Sequence, residues 1–224
     1  MADLHVLRVF TGDDGEGGNP LGVFLDGGSV PTGRRQAAAA EIGFSETVFV
    51  DDATSGSLQI FTPATELPFA GHPLVGTAWL LARERTALDS LHPPAGRVPV
   101  RLEGDRAFVS GRPEWAPGYE WFELGSAAEV EALAAAPGGH EMGCAYAWID
   151  AGRGVVRARV FPRRLGIAED EATGGAAVRL GALLGRDLVI RQGRGSVIGV
   201  RPCEGGWVEI GGGVAHDGTR DFAV

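Results

Sequence analysis

Two stretches of the chain repeat one pattern, and that repetition constrains the fold more than any other feature. A strand-like run ending in Phe61-Thr62-Pro63 leads through a loop carrying Glu66 into Gly71, which opens an apolar helix. A second run ending in Phe161-Pro162 leads through the acidic loop Glu169-Asp170-Glu171 into Gly174, which opens another. Setting Gly71 on Gly174 places Leu80-Leu81 on Leu183-Leu184 without a gap. A supersecondary unit used twice predicts two similar halves. The boundary falls in the segment Leu88–Pro94, giving residues 1–94 and 95–224.

The rest of the chain predicts what surrounds those helices. With 36 Gly and 13 Pro, 49 of 224 positions favour turns, which implies many short elements. Alternating apolar runs predict strands at 5–10, 21–26, 47–51, 58–62, 97–102, 107–110, 144–150, 155–161, 188–191, 196–200 and 207–210. Helices are predicted at 34–42 (stopped by Gly43), 71–83, 126–136 and 173–184. The expected class is α+β, with each half a β-barrel-like, mostly antiparallel sheet wrapped around a central helix.

Composition removes several functions. All 20 basic residues are Arg. Without Lys there is no Schiff base, no Walker A motif and no kinase strand lysine. A net charge of −9 argues against nucleic-acid binding, which needs clustered positive charge. No apolar run approaches the length of a membrane span, and the first residues lack a signal-peptide pattern, so a cytoplasmic location is expected. Cys144 and Cys203 are read as free thiols used in packing. The five His and two Cys show no metal-ligand spacing, so no metal is expected.

Candidate chemistry gathers at the two helix starts. A helix N-terminus exposes unpaired N–H groups and partial positive charge, which suits a carboxylate or phosphate. Small residues there (Gly71; Thr173, Gly174, Gly175) let a ligand approach the backbone. A single such start more often only begins a helix; two facing one another would form a site. His72 follows Gly71, and structural and functional roles weigh equally for it. Glu46, in Gly43-Phe44-Ser45-Glu46-Thr47, leads into an apolar strand, where desolvation would make it a usable acid/base. An exposed strand-entry residue is the commoner case. Acidic residues such as Glu169, Asp170 and Glu171 before a helix commonly serve its dipole.

These segments together resemble the PhzF-like family, a phenazine-biosynthesis isomerase group with the diaminopimelate epimerase fold. The resemblance rests on GGNPLGVFLDG (17–27), GFSETVFV (43–50), FTPATELPFAGHPLVGTAWLL (61–81), VRARVFPRRLGIAEDEATGGAA (156–177) and RQGRGS (191–196), in family order. It implies two barrel-like halves with the active site between them, a homodimer, and no cofactor. It also implies isomerisation of a small carboxylated substrate such as trans-2,3-dihydro-3-hydroxyanthranilate. By the same resemblance Glu46 is the general acid/base, and His72 and Asp170 are its active-site partners. Ser45, Gly71, Thr173, Gly174 and Gly175 would bind the substrate. Epimerase relatives carry a cysteine just before each helix-start glycine; here those positions are Ala70 and Thr173. A two-thiol racemase or epimerase is therefore disfavoured.

The chain departs from the pattern in three places. It is shorter than typical members between Pro113 and Cys144. Glu171 stands where the family has Pro, and Gly175 where it has Ser. The shortened second half and the missing Ser leave one rival, a non-catalytic protein that binds a small acid.

Overall fold

The computed structural model describes residues Met1–Val224. The first half contains β1 (Ala2–Thr11), β2 (Asn19–Phe24), α1 (Thr32–Ile42), β3 (Glu46–Asp52), β4 (Ser57–Phe61), β5 (Glu66–Leu67) and α2 (Gly71–Glu84). After it come β6 (Ser90–Leu91), β7 (Val98–Glu103), β8 (Arg106–Gly111), β9 (Glu120–Glu123), α3 (Ala127–Glu131), β10 (Gly143–Asp150) and β11 (Val155–Phe161). The chain closes with α4 (Gly174–Leu184), β12 (Leu188–Gln192), β13 (Ser196–Pro202) and β14 (Val208–Phe222).

One sheet of 14 strands runs β5-β4-β3-β2-β1-β14-β13-β12-β11-β10-β9, and β8 with β7 and β6 branches from β14. Pairing is antiparallel except at β2/β3, β9/β10 and β11/β12. The internal repeat is visible in this order. In each half a parallel strand pair is followed by an antiparallel hairpin partner and then by the Gly-led helix. α2 is buried at every residue from Gly71 to Leu81, a run that is apolar apart from His72 and Thr77. α4 is buried mainly along Gly174, Ala176, Ala177, Val178, Leu180 and Gly181. The repeat is inexact at the far end: Leu80 and Leu81 are fully buried, whereas Leu183 is 56% exposed.

The last strand is much longer than the four residues its sequence suggests. No strand is expected over Gly211-Gly212-Gly213 and the polar run after it, yet β14 continues to Phe222. The glycines are steric necessities at a crossing. A Cβ on Gly211 would overlap Ala107 O and the Phe108 ring, and one on Gly213 would lie 2.5 Å from Thr11 Oγ1. Here β14 leaves β8 and β13 and pairs with β1. β1 answers with a bulge between Val9 and Thr11, where Phe10 takes a left-handed φ of 69°.

Two short strands lie outside the predicted set, and one predicted helix is shorter than expected. The joining segment 88–94 holds the short strand β6, which pairs with β7 and buries Ser90 and Leu91. The loop expected at 111–120 leads into β9, whose Glu120–Glu123 pairs with β10. The helix expected at 126–136 stops at Glu131. Its end is set by Arg159, whose Nη1 donates to the carbonyls of Val130, Glu131 and Leu133. A longer helix would need those carbonyls for its own N–H groups. By contrast α1 ends where Gly43 predicts, with φ 73°.

The outer faces of the halves differ accordingly. α1 covers an apolar cluster that includes Phe24, Phe49, Phe61 and Phe222. Under α3 the equivalent strand face carries Arg157 and Arg159, paired with Glu131 and Glu169. The crossing yields a test. Gly211→Ala is expected to destabilise the protein by about 2 kcal/mol or more through overpacking against backbone. Gly33→Ala, in open space on α1, is expected to be neutral or to stabilise by up to about 1 kcal/mol. Urea unfolding of both variants checks this, and equal stabilities would contradict the crossing.

Candidate active site

The starts of α2 and α4 meet backbone to backbone. A Cβ on Gly174 would lie 2.6 Å from His72 N and 2.8 Å from Gly71 Cα. A Cβ on Gly71 would overlap Ile210 Cδ1 and lie 3.0 Å from Gly174 Cα. Neither helix has a side-chain cap: Ala70 has no polar group, and the Thr173 hydroxyl donates to Asp170 Oδ2 at 2.7 Å instead. The first-turn N–H groups are thus left for another acceptor.

Two carboxylates flank this junction. Glu46 is the first residue of β3, held by the parallel register Leu21↔Glu46. It is 9% exposed and His72 is 3% exposed. His72 Nδ1 lies 3.1 Å from Glu46 Oε2, but the ring N–H is not aligned on that oxygen. Glu46 Oε2 and His72 Nε2 are both buried without a hydrogen-bond partner. Buried polar atoms left unpaired at one place call for a ligand or a catalytic role.

Asp170 comes from the other half and is 6% exposed. Its Oδ1 accepts from Asn19 Nδ2 at 2.7 Å, and its carbonyl accepts from Gln192 Nε2 at 2.8 Å. Burial and then the neighbouring Glu46 charge push its carboxyl up to about 6; His72, Thr173 and Asn19 pull the other way. A carboxyl raised in this way holds its proton more tightly than an ordinary one.

The cleft between the halves is lined by Glu46, His72, Asp170, Gly71 and the run Thr173-Gly174-Gly175, with Tyr119, Pro117, Leu165 and Ile167 at its edges. Its free space is about 30 Å³, room for a single water. Seven of the eight residues expected at the site therefore meet in one place. Ser45 does not line the cleft; its hydroxyl donates to Asn19 Oδ1 at 3.1 Å.

Asn19, Gln192 and Tyr119 are the residues sequence reasoning missed. Asn19 is 2% exposed and ties the first half to Asp170 and to the Ala172 carbonyl. Its signal was present, as the only Asn in the chain and inside Gly-Asn-Pro. Gln192 accepts from Thr173 N at 3.2 Å and donates to Thr173 Oγ1 at 2.9 Å; it lies within RQGRGS (191–196), but nothing in that stretch singles it out. Neither thiol takes part. Cys144 is buried under α4, with burial raising its pKa far above the ordinary value, and Cys203 is exposed. No helix is long and apolar enough to cross a membrane.

A pH test follows from Asp170. Its folded-state pKa is raised, so its contribution to stability is greatest below pH 3.8 and is lost as pH rises to about 6. Asp170→Asn removes the titration. The variant is expected to gain stability relative to wild type between pH 4 and about 6, by a few kcal/mol. Urea unfolding at several pH values measures it; a constant difference would refute the raised pKa.

Comparison with known proteins accords with this geometry. The sequence profile of the PhzC-PhzF family, phenazine biosynthesis-like proteins, matches residues 7–153, which include Glu46 and His72. The trans-2,3-dihydro-3-hydroxyanthranilate isomerase of Pseudomonas aeruginosa is 32% identical over 218 residues, covering 79% of this chain and 78% of that protein. The isomerase of the same name from Pseudomonas fluorescens is 38% identical over 117 residues, covering 50% of this chain and 42% of its own length. A solved structure described as a predicted epimerase, from Pseudomonas aeruginosa, is 26% identical and superposes with a TM-score of 0.73 over all of both chains.

Proposed function

Because the chain belongs to the PhzC-PhzF family of phenazine biosynthesis-like proteins, we propose that it is a cofactor-independent isomerase of a small carboxylated substrate. Its relatives' name makes trans-2,3-dihydro-3-hydroxyanthranilate the first substrate to try. The observation that carries the reading is the buried, unpartnered Glu46 Oε2 beside His72, at the meeting point of two uncapped helix starts.

In this reading the substrate carboxylate accepts from the N–H groups at the helix starts. Glu46 takes a proton from one substrate carbon, and the C–H electron pair enters the conjugated system. The negative charge that develops is met by fixed N–H dipoles, which need no reorganisation. Glu46 then returns the proton to a different carbon, and the electrons close the new C–H bond. His72 steadies the Glu46 charge, and Asp170 holds its proton more tightly than an ordinary carboxylate and orients the substrate.

The positions before the two helix-start glycines favour one base over two. Ala70 has no acid/base group, and the Thr173 hydroxyl is committed to Asp170. An epimerase working from two opposed thiols finds neither thiol here, although one structural neighbour carries that name. A ring-sized substrate exceeds about 30 Å³ of free space, so entry requires the cleft edges at 117–119 and 165–167 to part.

Glu46→Gln preserves shape and removes the acid/base. Turnover of trans-2,3-dihydro-3-hydroxyanthranilate in D₂O, followed by NMR, is expected to fall by at least about 100-fold. Binding of 3-hydroxyanthranilate, the aromatic counterpart, should change little. A variant as fast as wild type would sink this mechanism.

A further inference from the structure

We infer that Tyr119 is a substrate-binding residue, donating from its phenol to the carboxylate held at the start of α4. The inference rests on the reading of the cleft as an acid-binding isomerase site and adds a residue that the helix starts alone do not supply.

Three observations place the phenol. Tyr119 lines the same cleft as Glu46, His72 and Asp170. The residue is half-buried, and its hydroxyl makes no hydrogen bond to the protein, so it is free to donate into the cleft. It also sits against a missing side chain: a Cβ on Gly175 would lie 3.9 Å from the phenol oxygen, 3.3 Å from Ala116 Cβ and 4.0 Å from Pro117 Cδ. The segment 116–119 therefore packs down on a bare second position of α4.

That segment is clamped. Arg179, four residues beyond Gly175 on the same helix, donates from Nε and Nη2 to the Ala116 carbonyl at 3.0 and 2.7 Å. The Tyr119 ring packs 5.8 Å from the Trp121 ring and against the cluster of Cys144, Val160 and Ala176. A hydroxyl fixed this way is preorganised for its acceptor. Burial and the nearby Asp170 raise its pKa well above the ordinary phenol value, so it stays protonated and acts as a donor, not as a base. Beside uncapped N–H groups, the acceptor that completes the set is a carboxylate oxygen.

The test uses benzoate, which offers only a carboxylate, and 3-hydroxyanthranilate, titrated calorimetrically into wild type, Tyr119→Phe and Tyr119→Phe/Gly175→Ser. Tyr119→Phe leaves no protein group unpaired and should melt with wild type. It is expected to weaken both ligands alike, by about tenfold. In the double variant a serine hydroxyl grows from the other side of the same gap and should restore much of the loss, which a merely structural role for the ring would not allow. Unchanged affinity in Tyr119→Phe overturns the inference. So does a loss confined to 3-hydroxyanthranilate, or failure of wild type to bind either acid. The isomerase reading is judged separately. Wild type that binds benzoate through Tyr119 but never turns over trans-2,3-dihydro-3-hydroxyanthranilate refutes the activity alone. Turnover with Tyr119→Phe binding unchanged refutes this inference alone.

Discussion

The structure depends on the contact between Gly71 and Gly174. Two helix N-termini touch through their backbones, so neither position accepts even a methyl group. Each start carries roughly half a positive charge. Bringing two together is unfavourable unless negative charge lies close by, and Glu46 and Asp170 supply it, one from each half. Asn19 and Gln192 then fix Asp170 and Thr173 in place. The site is thus a structural solution and a chemical one at once. The carboxylates that make the helix junction tolerable are the groups available for proton transfer.

The two halves reach this junction by different means. The first half buries aromatic rings under a helix of 11 residues. The second has a helix of five residues, whose carbonyls are held by the Arg159 guanidinium. Arg157 adds an ion pair to Glu131 and donates to the carbonyls of Arg191 and Gly193. A charged network replaces apolar cover where the chain is short. Its value is specificity of position more than stability, because partly exposed ion pairs contribute little. It still matters for the cleft, since α3 and β9 follow the segment that carries Tyr119.

Elements with a strong local signal were legible. The apolar helix from Gly71, the Gly43 stop and the strands expected at 97–102 and 107–110 depend on neighbours in sequence, and the structure has them. The long β14 was not legible. Three glycines and a polar tail show no strand pattern until β1, β8 and β13 are known to crowd the same place. The end of α3 was hidden for a similar reason, because Arg159 lies 28 residues from Glu131. At the site, Glu46, His72 and Asp170 carried motif signals, whereas Tyr119 had none and nothing within RQGRGS singled out Gln192. Their importance comes from which oxygen or gap they face.

By itself the sequence determined the repeat, the two Gly-led helices, the absence of Lys chemistry and the types of group at each helix start. These follow from residue identity and short-range spacing, which are local properties. Only the tertiary structure decided that the helix starts touch, that Glu46 and Asp170 lie across one cleft, and that Ser45 stands behind it bonded to Asn19. Those outcomes depend on how β14 crosses from one half to the other. A crossing of that kind is set by packing between residues some 200 positions apart, such as Thr11 and Gly213, and leaves no local pattern to read.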